Sequence, residues 1–225
     1  VAPDAKFLAY TVNAEVSQES NAPTGLVMVR RLDRDESKPI EGTEGAVSAS
    51  LSPDGRWLAF LAAKDRNWTK LTLKKVALSQ GAAAGPAATL CEEIAPGSEV
   101  IWASDRELVL TCDAPEPSIL AVSAEGGATR VVAREPGEKG FRGWGGGAPL
   151  PGGREILITH WELAGKTVRV QVEVVGLATG TRKAVLENAD SARYLLSGHL
   201  LALRGGTTLV AAPFDVSKLE TTGGA

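Results

Sequence analysis

The feature that most constrains this chain is a short unit that keeps returning. Its clearest copy is Leu51-Ser52-Pro53-Asp54-Gly55-Arg56-Trp57-Leu58-Ala59-Phe60. Pro53 presets φ at the first turn position, the Asp54 carboxylate can accept backbone N–H bonds, and Gly55 tolerates the positive φ that a side chain resists. Trp57 to Phe60 then reads as a short apolar strand. An earlier copy, Ala2-Pro3-Asp4-Ala5, leads into Lys6 to Tyr10 and places Asp4 50 residues before Asp54. Later copies carry Ser104-Asp105 before Leu108, Gly152-Gly153 before Ile156, and Ser197-Gly198 before Leu200. The turn positions are therefore Pro3, Asp4, Ser52, Pro53, Asp54, Gly55, Asp105, Gly152, Gly153, Ser197 and Gly198. Spacings of 45 to 51 residues are the period of stacked four-stranded sheets.

Each unit is followed by a second hairpin. Examples are Gly25–Leu32 with Ser37–Ile40, Leu71–Leu78 with Ala87–Cys91, and Val168–Val175 with Arg182–Leu186. Val168, Val170, Val172 and Val174 alternate with Arg169, Gln171 and Glu173, the period of a half-exposed strand. No helical stripe runs longer than two turns. Four strands per repeat make an all-β chain, a β-propeller of four-stranded antiparallel blades with about five blades present. A β-sandwich would not require one turn signature at constant spacing. Residues 1–225 form a single propeller with approximate blades 1–45, 46–95, 96–136, 137–188 and 189–225, the first and last incomplete. No inner strand precedes Asp4 and the last blade stops soon after Leu219, so the expectation is a piece of a larger ring of six or more blades.

Composition narrows the function. A net charge of −3 and pI near 5.6 leave no electrostatic footprint for nucleic acid. No apolar run approaches a membrane span, and Val1 opens almost inside a turn motif rather than in a signal-like segment. Cys91 and Cys112 admit a disulfide between neighbouring sheets, with two free thiols acting as small hydrophobes as the favoured reading.

Chemistry-bearing motifs are missing. Ala164-Gly165-Lys166-Thr167 resembles the end of a P-loop, but the first Gly falls on His160 and the segment sits in a predicted hairpin turn. Ser197 has Leu195 where a nucleophile elbow needs Gly. His160 reads as a rim residue and His199 as a repeat residue equivalent to Arg56. No Cys/His metal spacing occurs. Asn67-Trp68-Thr69 is a glycosylation sequon. Trp57 and Trp102 suit sheet packing, whereas Trp68, Trp144 and Trp161 are the better surface candidates. Arg142 beside Trp144, following Phe141, offers a cation next to an aromatic, so Trp68, Arg142, Trp144 and Trp161 make up the candidate ligand surface.

Ser52 to Arg56 followed by an apolar strand resembles the WD40-like (TolB-type, PD40) propeller repeats. Leu51 to Phe60, Leu73-Lys74-Lys75-Val76 and Ala88-Thr89-Leu90-Cys91 are similar to the propeller in the C-terminal region of bacterial serine/threonine protein kinases. Ala192 to Leu200 with Leu209 to Asp215 resembles it too. Ala5, Arg106 and Gly152 depart from the repeat pattern as decayed turns. The resemblance implies a non-catalytic protein- or ligand-binding propeller, the sensor or scaffold region of a signalling kinase, with no cofactor and no metal. It also implies an extracytoplasmic place (periplasm or cell surface) and a membrane tether elsewhere in the protein. Two alternatives are a gating propeller of a prolyl-oligopeptidase-like peptidase and a TolB-like periplasmic partner-binding protein. The kinase motifs themselves, His-Arg-Asp and Asp-Phe-Gly, are not in this sequence.

Overall fold

Alternating apolar residues and frequent turn residues produce strands throughout; no helix occurs among the described residues. The computed structural model describes residues 6–13, 25–33, 35–65, 67–112, 116–135 and 142–224. Pro3 and Asp4, the first turn copy, and Phe141 lie outside them.

The strands fall into five antiparallel sheets. The first holds β1 (Phe7–Asn13), β2 (Gly25–Arg31) and β3 (Ser37–Pro39) in that order. The second is built from β4 (Ala46–Leu51), β5 (Trp57–Ala63) and β6 (Leu71–Ser79). A two-residue β7 (Ala82–Ala83) folds back on the end of β6, and β8 (Ala88–Ile94) pairs with β6 as the outer strand. The third contains β9 (Glu99–Ser104), β10 (Glu107–Cys112), β11 (Ser118–Ser123) and β12 (Arg130–Arg134). The fourth orders β13 (Arg142–Pro149), β14 (Glu155–Ala164), β15 (Thr167–Gly176) and β16 (Arg182–Glu187). The fifth orders β17 (Ser191–Leu195), β18 (His199–Arg204), β19 (Thr208–Asp215) and β20 (Glu220–Thr221). Strand order follows chain order in every sheet, which is how a propeller blade is wound. The fold is a five-bladed β-propeller.

Two compact units divide the chain, Val1–Leu110 with Val122–Thr129 and Thr111–Ala121 with Arg130–Ala225. In the first, Phe7, Val27, Ile40, Leu58, Phe60 and Val76 form a core between the first and second sheets. β5 is buried along almost its whole length, which explains why Leu58 to Ala63 is continuously apolar instead of alternating. Inner strands β4 and β9 are tied by side chains: the Ser48 hydroxyl accepts from the Val100 N–H at 3.1 Å and Ser50 from Trp102 at 2.9 Å. In the second unit Leu150, Leu157, Val172, Val174, Leu200 and Phe214 pack between the fourth and fifth sheets.

The repeated turn keeps one backbone geometry while its side chains change. At Ser52 to Trp57 the Gly55 N–H donates to Ser52 O at 2.9 Å with Gly55 at φ 70°, and Ser52 N–H donates to Trp57 O at 2.9 Å. Gly153 N–H to Leu150 O (3.1 Å) and Gly198 N–H to Leu195 O (2.9 Å) repeat it, again at positive φ. Asp54 adds a side-chain clasp: Oδ1 accepts from the Ser52 hydroxyl at 2.6 Å and the Arg56 N–H at 3.0 Å, while Oδ2 meets Arg56 Nε at 2.6 Å. Gly152 replaces it with bare backbone at φ 93°. Ser197, in the same position, instead faces His199 Nδ1 at 3.3 Å.

Partial burial raises the Asp54 pKa, but the Ser52 and Arg56 hydrogen bonds outweigh that and hold it down at about 2. A carboxylate depressed below its unfolded value of about 3.9 stabilises the fold above that pH and loses the contribution as pH falls through about 2. Melting temperatures recorded between about pH 4 and pH 2 should therefore fall less steeply in Asp54→Asn than in the parent protein. Parallel curves would show that the clasp contributes nothing.

Cys91 is partly exposed within β8, Cys112 is buried at the end of β10, and neither is in a disulfide. Trp102 is buried in the third sheet and Trp57 carries the Lys75 ammonium 4.7 Å from its ring centre.

Candidate functional site

The fourth sheet puts chemistry on one face and hydrophobicity on the other, as strand alternation requires. Trp144, His160 and Gln171 lie in one row across β13, β14 and β15, since Trp144 pairs with His160 and His160 with Gln171. Glu173, two residues on, and Arg182 on β16 share that face. Glu135, the residue after β12, reaches the same place.

These groups gather into one buried ion cluster. Arg182 forks onto Glu173, Nε to Oε2 at 2.8 Å and Nη2 to Oε1 at 3.1 Å, and its Nη1 lies 2.7 Å from Glu135 Oε1. Gln171 Nε2 donates to Glu173 Oε1 at 2.8 Å. His160 stands between the carboxylates, Nε2 3.1 Å from Glu135 and Nδ1 3.4 Å from Glu173. The Arg182 guanidinium sits 4.8 Å from the Trp144 ring centre, and the Trp144 and His160 rings are 5.8 Å apart. Glu135, His160, Glu173 and Trp144 are all more than nine-tenths buried. Burial raises the Glu173 carboxyl, but the Arg182 fork more than reverses it, so its pKa ends below the usual range. Arg182 is held above its own ordinary value, the two carboxylates outweighing partial burial. Buried together, these groups act as a fastener that ties Glu135, after β12, to the fourth sheet.

Toward one end of the sheet the fastener gives way to an exposed ionic row. Glu162 lies 3.9 Å from Arg142 Nε and 3.4 Å from Arg169 Nη1. Among the described residues β13 pairs with β14 as far as Glu162 and β16 with β15 as far as Gln171, and β14 and β15 pair on through Leu163–Val168 and Ala164–Thr167 to a turn at Gly165 and Lys166. The hairpin's other face carries Trp161 opposite Val170 and Leu163 opposite Val168. Trp161 and Val170 are half-buried; Leu163 and Val168 are 44% and 51% exposed. A hairpin with an exposed apolar face and an ionic face, anchored by a buried ion cluster, is the best-built candidate site.

The four expected ligand-surface residues separate. Trp161 and Arg142 lie on opposite faces at the base of the hairpin. Trp68 stands elsewhere, 41% exposed at φ 53° in the β5–β6 turn, where Asp65 Oδ2 accepts from the Thr69 hydroxyl at 2.6 Å. Trp144 is not on the surface: at 1% exposure it lies under Arg182, its N–H without an acceptor among the described residues. The rim assignment of His160 is also corrected, because residue 160 falls mid-strand and not at a strand end. The missed members, Glu135, Glu173 and Arg182, belong to different strands. The only trace in sequence is charge on the alternate positions of β15. A separate cleft of about 450 Å³ in the first unit is lined by Val29, Arg31, Lys38, Pro39, Gln80 and Ala83, and none of the four lines it.

Ala164 to Thr167 is the tip of a hairpin, so it starts no helix and cradles no phosphate in the P-loop manner.

No protein-family model matches the chain, and no curated protein matches it in sequence. Solved structures do match. TolB from Acinetobacter baumannii aligns over 94% of this chain with a TM-score of 0.65 at 18% identity. The fold is that of the TolB-like propellers. An oligogalacturonate lyase from Vibrio parahaemolyticus covers 99% (TM-score 0.59, 11% identity). The β-propeller domain of the Trilobed protease from Pyrococcus furiosus, described as having an open velcro topology, covers 96% (TM-score 0.53, 12% identity). This chain spans 49% of that TolB, 63% of the lyase and 68% of the protease domain. One fold thus serves proteins of different kinds, and function has to be argued from the site.

Proposed function

We propose that this propeller is a non-catalytic binding module that docks a protein partner through the β14–β15 hairpin. The observation that carries the reading is the exposed Leu163–Val168 pair, 44% and 51% exposed and continuous with Trp161 and Val170 on one face of the hairpin. An exposed apolar patch on a rigid support is what a partner recognises. In its fuller form the module is the extracytoplasmic sensor or scaffold region of a bacterial signalling kinase. The stretches Leu51 to Phe60 and Ala192 to Leu200 support that by their resemblance to kinase propellers. The membrane tether lies elsewhere in such a protein, and no helix among the described residues is long and apolar enough to cross a membrane.

The coding sequence on either side tests it. A kinase domain followed by one apolar span upstream supports the sensor. A Gly-x-Ser-x-Gly downstream instead makes the chain the gate of a peptidase, a reading the structural likeness to a protease propeller favours. A signal peptide with no kinase leaves the TolB-like partner-binding reading.

Introducing Leu163→Lys together with Val168→Glu into the full-length kinase should leave the melting temperature nearly unchanged, since exposed substitutions stay within about 0.5 kcal/mol. Stimulus-dependent autophosphorylation should fall at least about tenfold, equivalent to 1.4 kcal/mol of lost docking. An unaltered response removes the hairpin from the binding surface.

A further inference from the structure

The first unit holds a cleft of about 450 Å³ of its own. One wall is the first sheet, where Val29 pairs with Lys38 and Met28 with Pro39. The other is the β6–β7 hairpin at Gln80 to Ala83. Its two-residue turn has Gln80 at φ 52° and Gly81 at φ 84°, the signs of a type I′ turn. That turn is packed down on the first sheet. A Cβ on Gly81 would stand 3.2 Å from Val29 Cγ2 and 3.5 Å from the Phe7 ring. The volume is that of a small-ligand site.

Both walls turn backbone groups outward. Ala84 N–H donates to Ala77 O at 2.8 Å, and Ser79 pairs with Ala82. Antiparallel alternation therefore points the N–H and C=O of Ala83 away from β6. Ile40 N–H donates to Val27 O at 2.8 Å, so the Pro39 carbonyl points away from β2 by the same rule. The charges along the cleft are mostly matched: Arg31 forks onto Asp33 at 2.9 and 2.8 Å, and Lys38 lies 3.4 Å from Glu36. Glu41 is exposed and has no cation within ion-pair distance among the described residues. The cleft thus offers main-chain donors and acceptors, an apolar floor at Val29 and one unmatched carboxylate.

We infer that the cleft binds a short extended peptide carrying a basic side chain. A segment lying between the Pro39 carbonyl and Ala83 adds hydrogen bonds to strand edges, the mode in which main-chain bonds give affinity and side chains give specificity. Pro39 has no N–H, so the β3 edge offers acceptors without a matching donor and does not template a long added strand. The peptide is short for that reason. Its basic side chain meets Glu41, and an acidic one in the same place faces like charge, which is how the cleft discriminates. Val29, at the floor, takes an apolar neighbour of the basic residue.

Saturation-transfer NMR on the full-length protein tests this with the capped tripeptide Ac-Val-Lys-Val-NH2. The expected result is saturable binding with a Kd of about 1 mM. Ac-Val-Glu-Val-NH2 should bind at least about tenfold more weakly, and so should n-butylamine, which keeps the lysine side chain and lacks the peptide. Glu41→Gln, on an exposed side chain, should weaken the lysine peptide about tenfold at an unchanged melting temperature. Glu187→Gln, at the exposed end of β16, should leave it intact. No binding of the lysine peptide up to about 10 mM overturns the inference. Equal binding of the two peptides overturns it by removing the basic side chain, and equal binding of n-butylamine by removing the backbone pairing. A lysine peptide that Glu41→Gln does not affect, or that Glu187→Gln weakens as much, overturns it by taking the ligand out of the cleft.

Discussion

Replacing Arg182 with alanine is expected to destabilise the protein by about 3 kcal/mol, a fall of roughly 6–12 °C in Tm. The guanidinium neutralises two carboxylates, Glu135 and Glu173, that are 8% and 4% exposed. Without it both remain buried with His160 between them, and the Arg142 guanidinium, 3.8 Å from Glu135, is the nearest remaining arginine. Removing one member of a buried charge network is worse than never having built it, because desolvation persists while the attraction is lost. The figure sits at the low end of the range because the Arg182 side chain is itself 26% exposed. Arg169→Ala supplies the contrast. Its side chain is 64% exposed and meets Glu162 at 3.4 Å, so truncation should change stability by less than about 0.5 kcal/mol. Thermal unfolding of the two variants decides the matter: equal small losses would mean that the cluster fastens nothing.

Gly180→Ala should be comparably damaging, about 2–4 kcal/mol. Gly180 turns β15 into β16 at φ 69°, donating its N–H to Gly176 O at 2.8 Å. A Cβ there would stand 2.3 Å from Val132 O on β12. Backbone cannot swing aside as a long side chain can, so the turn or β12 must move. Gly165→Ala, at the same φ of 69° but with open space around it, isolates the φ penalty of about 1–2 kcal/mol. If denaturation midpoints fall equally for both, the close approach to Val132 carries no weight.

The blades were legible because each is a local matter. Pro53, Asp54 and Gly55 set a turn through their own φ preferences and hydrogen bonds, and alternation in β15 follows from the pleat. The repeat also gave the place of His199, which follows its turn as Arg56 follows Asp54 and lies beside Ser197. The site was not legible in the same way. His160 looked like a rim residue because its immediate neighbours, Trp161 and Glu162, are the kind found at strand ends. What buries it is the ten-residue length of β14 and the approach of Glu135 from another sheet. Trp144 was misplaced because it was grouped with Arg142 as a surface cation and aromatic; the segment forms β13, with a bulge between Gly145 and Gly147, and the ring lies under Arg182. Trp161 could be picked from sequence, but not the apolar face it shares with Val170, Leu163 and Val168, because that depends on the register of β14 against β15.

The fastener is out of phase with the repeat. Glu135 is encoded with the third blade, and His160, Glu173 and Arg182 with the fourth. Cutting the gene at a repeat boundary therefore separates an anion from its cation, and the excised fourth blade carries Arg182 with one carboxylate fewer than it was folded around. A blade of this protein cannot be duplicated, swapped or expressed as a charge-balanced cassette. The smallest transferable piece begins before Glu135, inside the preceding repeat.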